Sequence, residues 1–267
     1  LGDTAKEDYK KQLSQAYEES VLPAYQAIRD TLEELFDKNN SEGMSKLPYG
    51  KEYYELLMQS ATGSDMTVEE VRSMMEDAAD EHFANLLMLY SESQGARDYV
   101  DAGALDTGFT SYEEILDYIE QAMTEDFPAV SDMEYVIFDL GEDVSDTGVA
   151  AYFVNPALDS TAPKQMRVNP NHGDIADIEV YNTVAHEGFP GHMYQFAYMY
   201  ENITTPLMKL INIGGYTEGY AVYASYQASR YLEEKGITDV TRVTRTVLNS
   251  YVLYLEKEGK ELLQKFP

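Results

Sequence analysis

Apolar residues recur at three- and four-residue steps between Ala5 and Lys38, at Leu13, Tyr17, Val21, Tyr25, Ile28, Leu32, Leu35 and Phe36. That step keeps side chains on one face of a helix, so the stretch predicts one or two long amphipathic helices. Pro23 is expected to kink or break the run, because it lacks an N–H and clashes with the preceding turn. SEGMSKLPYG, 41–50, is a loop by composition, and KEYYELLMQSA after it reads as a short helix. Thr67 with Glu70, and Ser111 with Glu114, carry the spacing of capping boxes, ahead of helices to about Tyr90 and about Met123. Residues 1–127 therefore read as a helical scaffold.

The pattern changes at Pro128. YVIFDL (135–140), VAAYFVNPAL (149–158) and KQMRVNP (164–170) are rich in β-branched and aromatic residues and are separated by Gly, Asp, Ser and Pro clusters. They predict three strands of a small sheet within 128–170. Helical patterns return over roughly 175–187, 191–201, 205–212, 216–235 and 241–265. The expected fold is mainly α with a small β-sheet, α+β, in a single domain whose last part, 171–267, carries the chemistry.

Charge narrows the partners. The chain holds 19 basic and 48 acidic residues, a formal net charge of −29, which repels phosphate backbones and anionic lipid head groups. Nucleic acid and membrane surfaces are expected to be poor partners, and neither is called for. No apolar run approaches the roughly 20 residues that span a bilayer, and no basic-then-apolar leader opens the chain, which starts at Leu1 without a methionine. The chain reads as a processed form or as a piece whose natural beginning is missing, and either is compatible with a removed signal or lipoprotein leader. With no cysteine, any metal site must be built from His, Asp and Glu.

The chemistry concentrates in TVAHEGFPGHMYQ, 183–195. His186 and His192 are six residues apart, and on an unbroken helix they would stand about 120° around the axis and about 9 Å along it from each other. Two such imidazoles cannot reach one ion at bonds of about 2.0–2.1 Å. Gly188-Phe189-Pro190-Gly191 between them is a run that a regular helix does not accommodate. The helix is expected to break there and to restart with Pro190 as its first residue, which would swing His192 back toward His186. Glu218, in GGYTEGYAVYASY, is the candidate third ligand. Its neighbours Tyr220, Ala221 and Ala224 suggest a packed face, on which a carboxylate needs a partner.

These residues resemble a bacterial family, the domain-of-unknown-function 885 proteins, regarded as relatives of the gluzincin metallopeptidases. Its members carry His-Glu-x-x-Pro-Gly-His, matched here by His186 to His192, and Glu-Gly-(Trp)-Ala-x-Tyr, matched by Glu218 to Tyr223. Weaker likeness extends over 46–235. The resemblance implies a zincin-like helical metallopeptidase architecture, Zn2+ held by His186, His192 and Glu218, and Glu187 as general base toward a peptide substrate. It also implies a bacterial cell-envelope or extracellular setting. Two departures stand out. Many members have a histidine where this chain has Met193, and members usually continue well past the equivalent of Pro267, so the chain reads as a fragment of a longer one.

An oxyanion formed during hydrolysis needs a donor, and the candidates by position are Tyr216, Tyr220, Tyr223 and His172. The strand KQMRVNP is expected to receive an extended peptide by strand addition. Two competing readings remain at this stage. One is a glycosidase with Glu187 and Glu218 as its carboxylate pair, which leaves both motif histidines without a role. The other is an acidic cell-surface binding or scaffold domain with a structural or vestigial metal site.

Overall fold

Both capping signals start helices. In the computed structural model, which describes residues 2–36, 43–94, 96–97, 101, 105–141 and 148–237, the Glu70 N–H donates to Thr67 Oγ1 at 3.2 Å and the Thr67 N–H donates to the Glu70 carboxylate at 2.8 Å. At the second site the Glu114 N–H donates to Ser111 Oγ at 3.1 Å. The returning half is displaced by one residue, since the Glu114 carboxylate accepts from the Thr110 N–H and hydroxyl, both at 2.9 Å. The helices are α1 Asp3–Ala16, α2 Leu22–Phe36, α3 Gly50–Thr62, α4 Val68–Glu92, α5 Tyr112–Ala122, α6 Ile178–Glu187, α7 His192–Asn202, α8 Pro206–Leu210 and α9 Gly214–Glu234. The strands are β1 Tyr135–Asp139, β2 Ala151–Val154 and β3 Lys164–Val168. The helix predicted over 241–265 lies outside the described residues. The fold is mainly helical with a small sheet, the α+β class that the sequence predicts.

By contacts the chain divides into two units, Leu1–Tyr54 and Glu55–Pro267; α3 runs across the division. In the first unit, α1 and α2 are joined by a π-helical turn, Tyr17–Val21. That turn shifts the hydrogen-bond step just ahead of Pro23, which cannot donate. Neither α1 nor α2 has a buried residue.

In the second unit the sheet has the order β1-β3-β2, with β3 parallel to β1 and antiparallel to β2. Along β3, Lys164, Met166 and Val168 are buried while Gln165 and Arg167 are half-buried, the alternation of a strand with one face in the core. The buried Lys164 ammonium is satisfied by the Asp132 carbonyl at 2.8 Å and the Asp132 carboxylate at 3.1 Å. The central position of β3 overturns the expectation that KQMRVNP takes up a peptide, because both of its edges already pair with strands. The edge next to the candidate site belongs to β2.

The core packs α5, α6, α7 and α9 with the sheet. Ile115, Leu116 and Ile119 of α5, Ile178, Tyr181 and Val184 of α6, Met193 of α7 and Leu232 of α9 are fully buried. Ala221, Ala224, Ser225 and Ala228 form a buried stripe of small side chains on α9, which lets α6 lie close against it.

Candidate metal centre

The helix breaks where the Gly-Phe-Pro-Gly run predicts, with residues 188–191 outside both α6 and α7. The restart differs from the expectation: α7 begins at His192, and Pro190 sits inside the break, joined to Phe189 by a cis peptide bond. Gly188 N–H donates to the Val184 carbonyl at 2.8 Å and Gly191 N–H to the Ala185 carbonyl at 3.0 Å, so the chain closes over the last turn of α6. The approach is too tight for a side chain. A Cβ on Gly191 would lie 1.9 Å from the His186 oxygen, and one on Gly188 would lie 2.5 Å from Leu116 Cδ2. Phe189 is fully buried and meets the Tyr135 ring edge-on at 5.5 Å, anchoring the break in the core.

Folding back brings the two imidazoles together, with ring centroids 4.8 Å apart and planes perpendicular. The third group arrives from α9. Tyr181 donates to the Ala228 carbonyl at 2.7 Å and Ser229 donates to Asn182 Oδ1 at 2.8 Å, and these antiparallel cross-links set the register of α9 on α6. The outcome is that Glu218 Oε2 stands 3.3 Å from His186 Nε2 and 3.5 Å from His192 Nε2. Glu187 completes the cluster: ligand atoms of His186, Glu187 and His192 lie within 4.8 Å of one another.

The donor set fits a zinc ion. Two imidazole nitrogens and a carboxylate are the usual three protein ligands of an open zinc site, and around a tetrahedral ion with bonds of about 2.0–2.1 Å the ligand atoms stand about 3.4 Å apart. The observed spacings of 3.3 and 3.5 Å bracket that value. The next layer fits as well. His192 Nδ1 is 3.3 Å from Gln195 Oε1, and both residues are buried. A hydrogen bond donated from Nδ1 keeps the proton there and leaves Nε2 free to ligate.

Electrostatics follow from burial. Removal from water pushes the His186 pKa down, with the neighbouring His192 adding to the effect and Glu218 opposing it, so the imidazole favours its neutral, ligating form. Burial raises the Glu187 pKa against the opposing pull of the Phe153 N–H. That N–H, on β2, donates to Glu187 Oε2 at 2.8 Å.

Two cavities border the cluster and a third adjoins one of them. One of about 560 Å³ is lined by His172, Asp177, Glu179, His186, Glu187 and Tyr226, among others. A second of about 490 Å³ lies along β2, bounded by Tyr152, Phe153 and Val154 on one side and by Glu187, His192 and Glu218 on the other. A third, about 760 Å³, includes Tyr216 and Tyr220 in its wall. The candidate donors are therefore dispersed. His172 shares a cavity with His186 and Glu187, Tyr220 donates to the Pro190 carbonyl at 3.0 Å, Tyr216 is exposed, and Tyr223 is exposed and lines none of these cavities.

Two readings change. The Glu218 side chain is 62% exposed, so the packed-face argument for its partner does not hold, although its predicted neighbours Ala221 and Ala224 are buried. Tyr226 was missed; with Val222 it lies on the helical face that Glu218 begins, at steps of four, and both line the cavity of His186.

The fold resembles that of a solved protein described as "the putative lipoprotein from Colwellia psychrerythraea", with a TM-score of 0.71 and 20% identity over 94% of this chain and 47% of that one. The chain thus spans about half the length of that protein. No curated protein matches the sequence. The family described as "Bacterial protein of unknown function (DUF885)" matches residues 2–237, and the chain belongs to this family.

Proposed function

We propose that the chain bears the metal site of a zinc-dependent hydrolase that cleaves peptide bonds, related to the gluzincin metallopeptidases. The observation that carries the reading is the convergence of His186, His192 and Glu218 on one point, 3.3 and 3.5 Å apart, with Glu187 beside them and an exposed strand edge alongside. His186, His192 and Glu218 would hold the ion. When bound, zinc supplies Lewis-acid polarisation of the scissile carbonyl and acidifies a water.

The chain's own residues do the rest. Glu187, whose carboxyl burial shifts upward toward the working range of a general base, takes the proton of the attacking water and hands it to the leaving amine. Gln195 holds the His192 ring. The outward backbone of β2 faces the cluster through Phe153, so an extended peptide adding to that edge would pass Glu187, His192 and Glu218. His172 and Tyr226 are among the donors that share the cavity of His186 and Glu187. The acidic surface and the name of the solved relative favour the cell envelope or exterior of a bacterium. No helix among the described residues is long and apolar enough to cross a membrane.

The test is elemental analysis of the untreated protein together with a peptide-hydrolysis assay. One zinc per chain, cleavage lost on chelation and restored by zinc, and a Glu187→Gln variant that keeps the metal but not the cleavage are the expected results. A metal-free protein, or a Glu187→Gln variant as active as the native chain, refutes the reading.

A further inference from the structure

The cavity of about 760 Å³ differs from the other two in its chemistry. Aromatic side chains make up much of its wall, notably Tyr194, Tyr198, Tyr200 and Phe196, with Met199 and Met208 beside them. No Asp or Glu lines it among the described residues, in a chain that carries 48 acidic side chains. Its one lysine, Lys209, donates to the Tyr200 carbonyl at 2.6 Å and lies 5.8 Å from the Tyr200 ring centroid. The cavity adjoins the cleft along β2, since Asn155, Phe196, Asn212 and Thr217 line both. Gln195, the partner of His192 Nδ1, also forms part of its wall.

We propose that this cavity is the specificity pocket of the site, and that it takes a large apolar side chain, preferentially aromatic, of a substrate residue flanking the scissile bond. The proposal rests on the hydrolase reading for the identity of that bond. Ring edges, ring faces and thioether sulfurs are the surroundings that aromatic groups prefer. The size falls in the range of about 300–1,000 Å³ that encloses small organic ligands. A wall without carboxylates gives a lysine or arginine side chain no counter-charge, whereas the cavity on the far side of His186 carries Asp177, Glu179 and Glu187. Placement follows from the shared wall: a peptide lying along β2 with its scissile bond at Glu187 has a neighbouring side chain beside Phe196, Asn212 and Thr217, which line both cavities.

Two measurements on the whole chain separate this proposal from the reading beneath it. The first is binding of N-acetyl-phenylalaninamide against N-acetyl-alaninamide, followed by NMR of the methionine methyl groups. The expected result is that the aromatic probe shifts Met199 and Met208 at least about tenfold more tightly than the alanine probe, and that Met208→Trp, which fills the cavity from an exposed position of 52%, abolishes the difference. The second is kcat/KM for matched peptides with Phe, Ala or Lys beside the cleaved bond, expected in the order Phe, Ala, Lys with about tenfold or more between Phe and Ala. Met208→Trp should lower the value for the Phe peptide more than that for the Ala peptide, so that the ratio between them shrinks toward one. Equal binding of both probes, or cleavage indifferent to the flanking residue, overturns the pocket. Selective probe binding with no peptide cleaved upholds the pocket and refutes the hydrolase reading.

Discussion

Two helical stretches, one regular and one broken, meet opposite fates. α1 and α2 follow a long and regular apolar pattern, yet neither buries a side chain, and Leu13 and Ile28 are 72% and 55% exposed. α6 and α7 are short and interrupted by Gly-Phe-Pro-Gly, yet almost every residue from Ile178 to Ala197 is buried or half-buried. Periodicity reports which side chains share a face; burial depends on what packs against that face. The broken pair is enclosed by α5, α9 and the sheet, and its interruption is itself a packed feature.

That contrast predicts a gradient of sensitivity. The largest effect belongs to Gly191→Ala, whose Cβ meets the His186 carbonyl at 1.9 Å: a loss of about 4 kcal/mol or more in urea unfolding, with loss of zinc binding, is expected. A stable, zinc-binding variant would break the comparison outright. Leu116→Ala, which empties the space beneath Gly188, is expected to cost about 3 kcal/mol, within the range for buried leucines, in the same assay. If zinc occupies the site, a free-metal concentration about 100-fold above Kd stabilises the chain by about 2.7 kcal/mol, so chelation should lower the unfolding temperature and Glu218→Ala should abolish that shift. The smallest effect is expected at Ile28→Gln on α2, within about 0.5 kcal/mol of the native chain; a larger loss would show that α2 contributes to a core after all.

Much of this was legible locally. Thr67 with Glu70 forms its box because capping involves only four consecutive residues, and the three strands lie where β-branched runs are bounded by turn residues. What escaped depends on distant partners. That β3 is central is decided by β1 and β2, so its own composition could not reveal it. The restart at His192 instead of Pro190 is set by the close approach of Gly191 to α6 and by the buried Phe189. Glu218 stands beside the two imidazoles, but the packed face used to argue for it is removed by its exposure. Tyr226 carried a usable signal, two steps of four from Glu218, whereas Tyr223 turns to solvent one position beyond that row. His186 and His192 were brought into proximity by reasoning from a helix that could not continue, and their side chains meet as that reasoning requires.

The shape of β2 bears on self-association. The strand is four residues long, Pro156 follows two residues after its end, and the outward Phe153 N–H is already engaged by Glu187. Short strands and nearby prolines are how native sheets resist lateral growth from chain to chain. A second copy arriving side by side could pair along no more than the four residues of this strand, so the edge is long enough for a short extended ligand and a poor seed for fibrils.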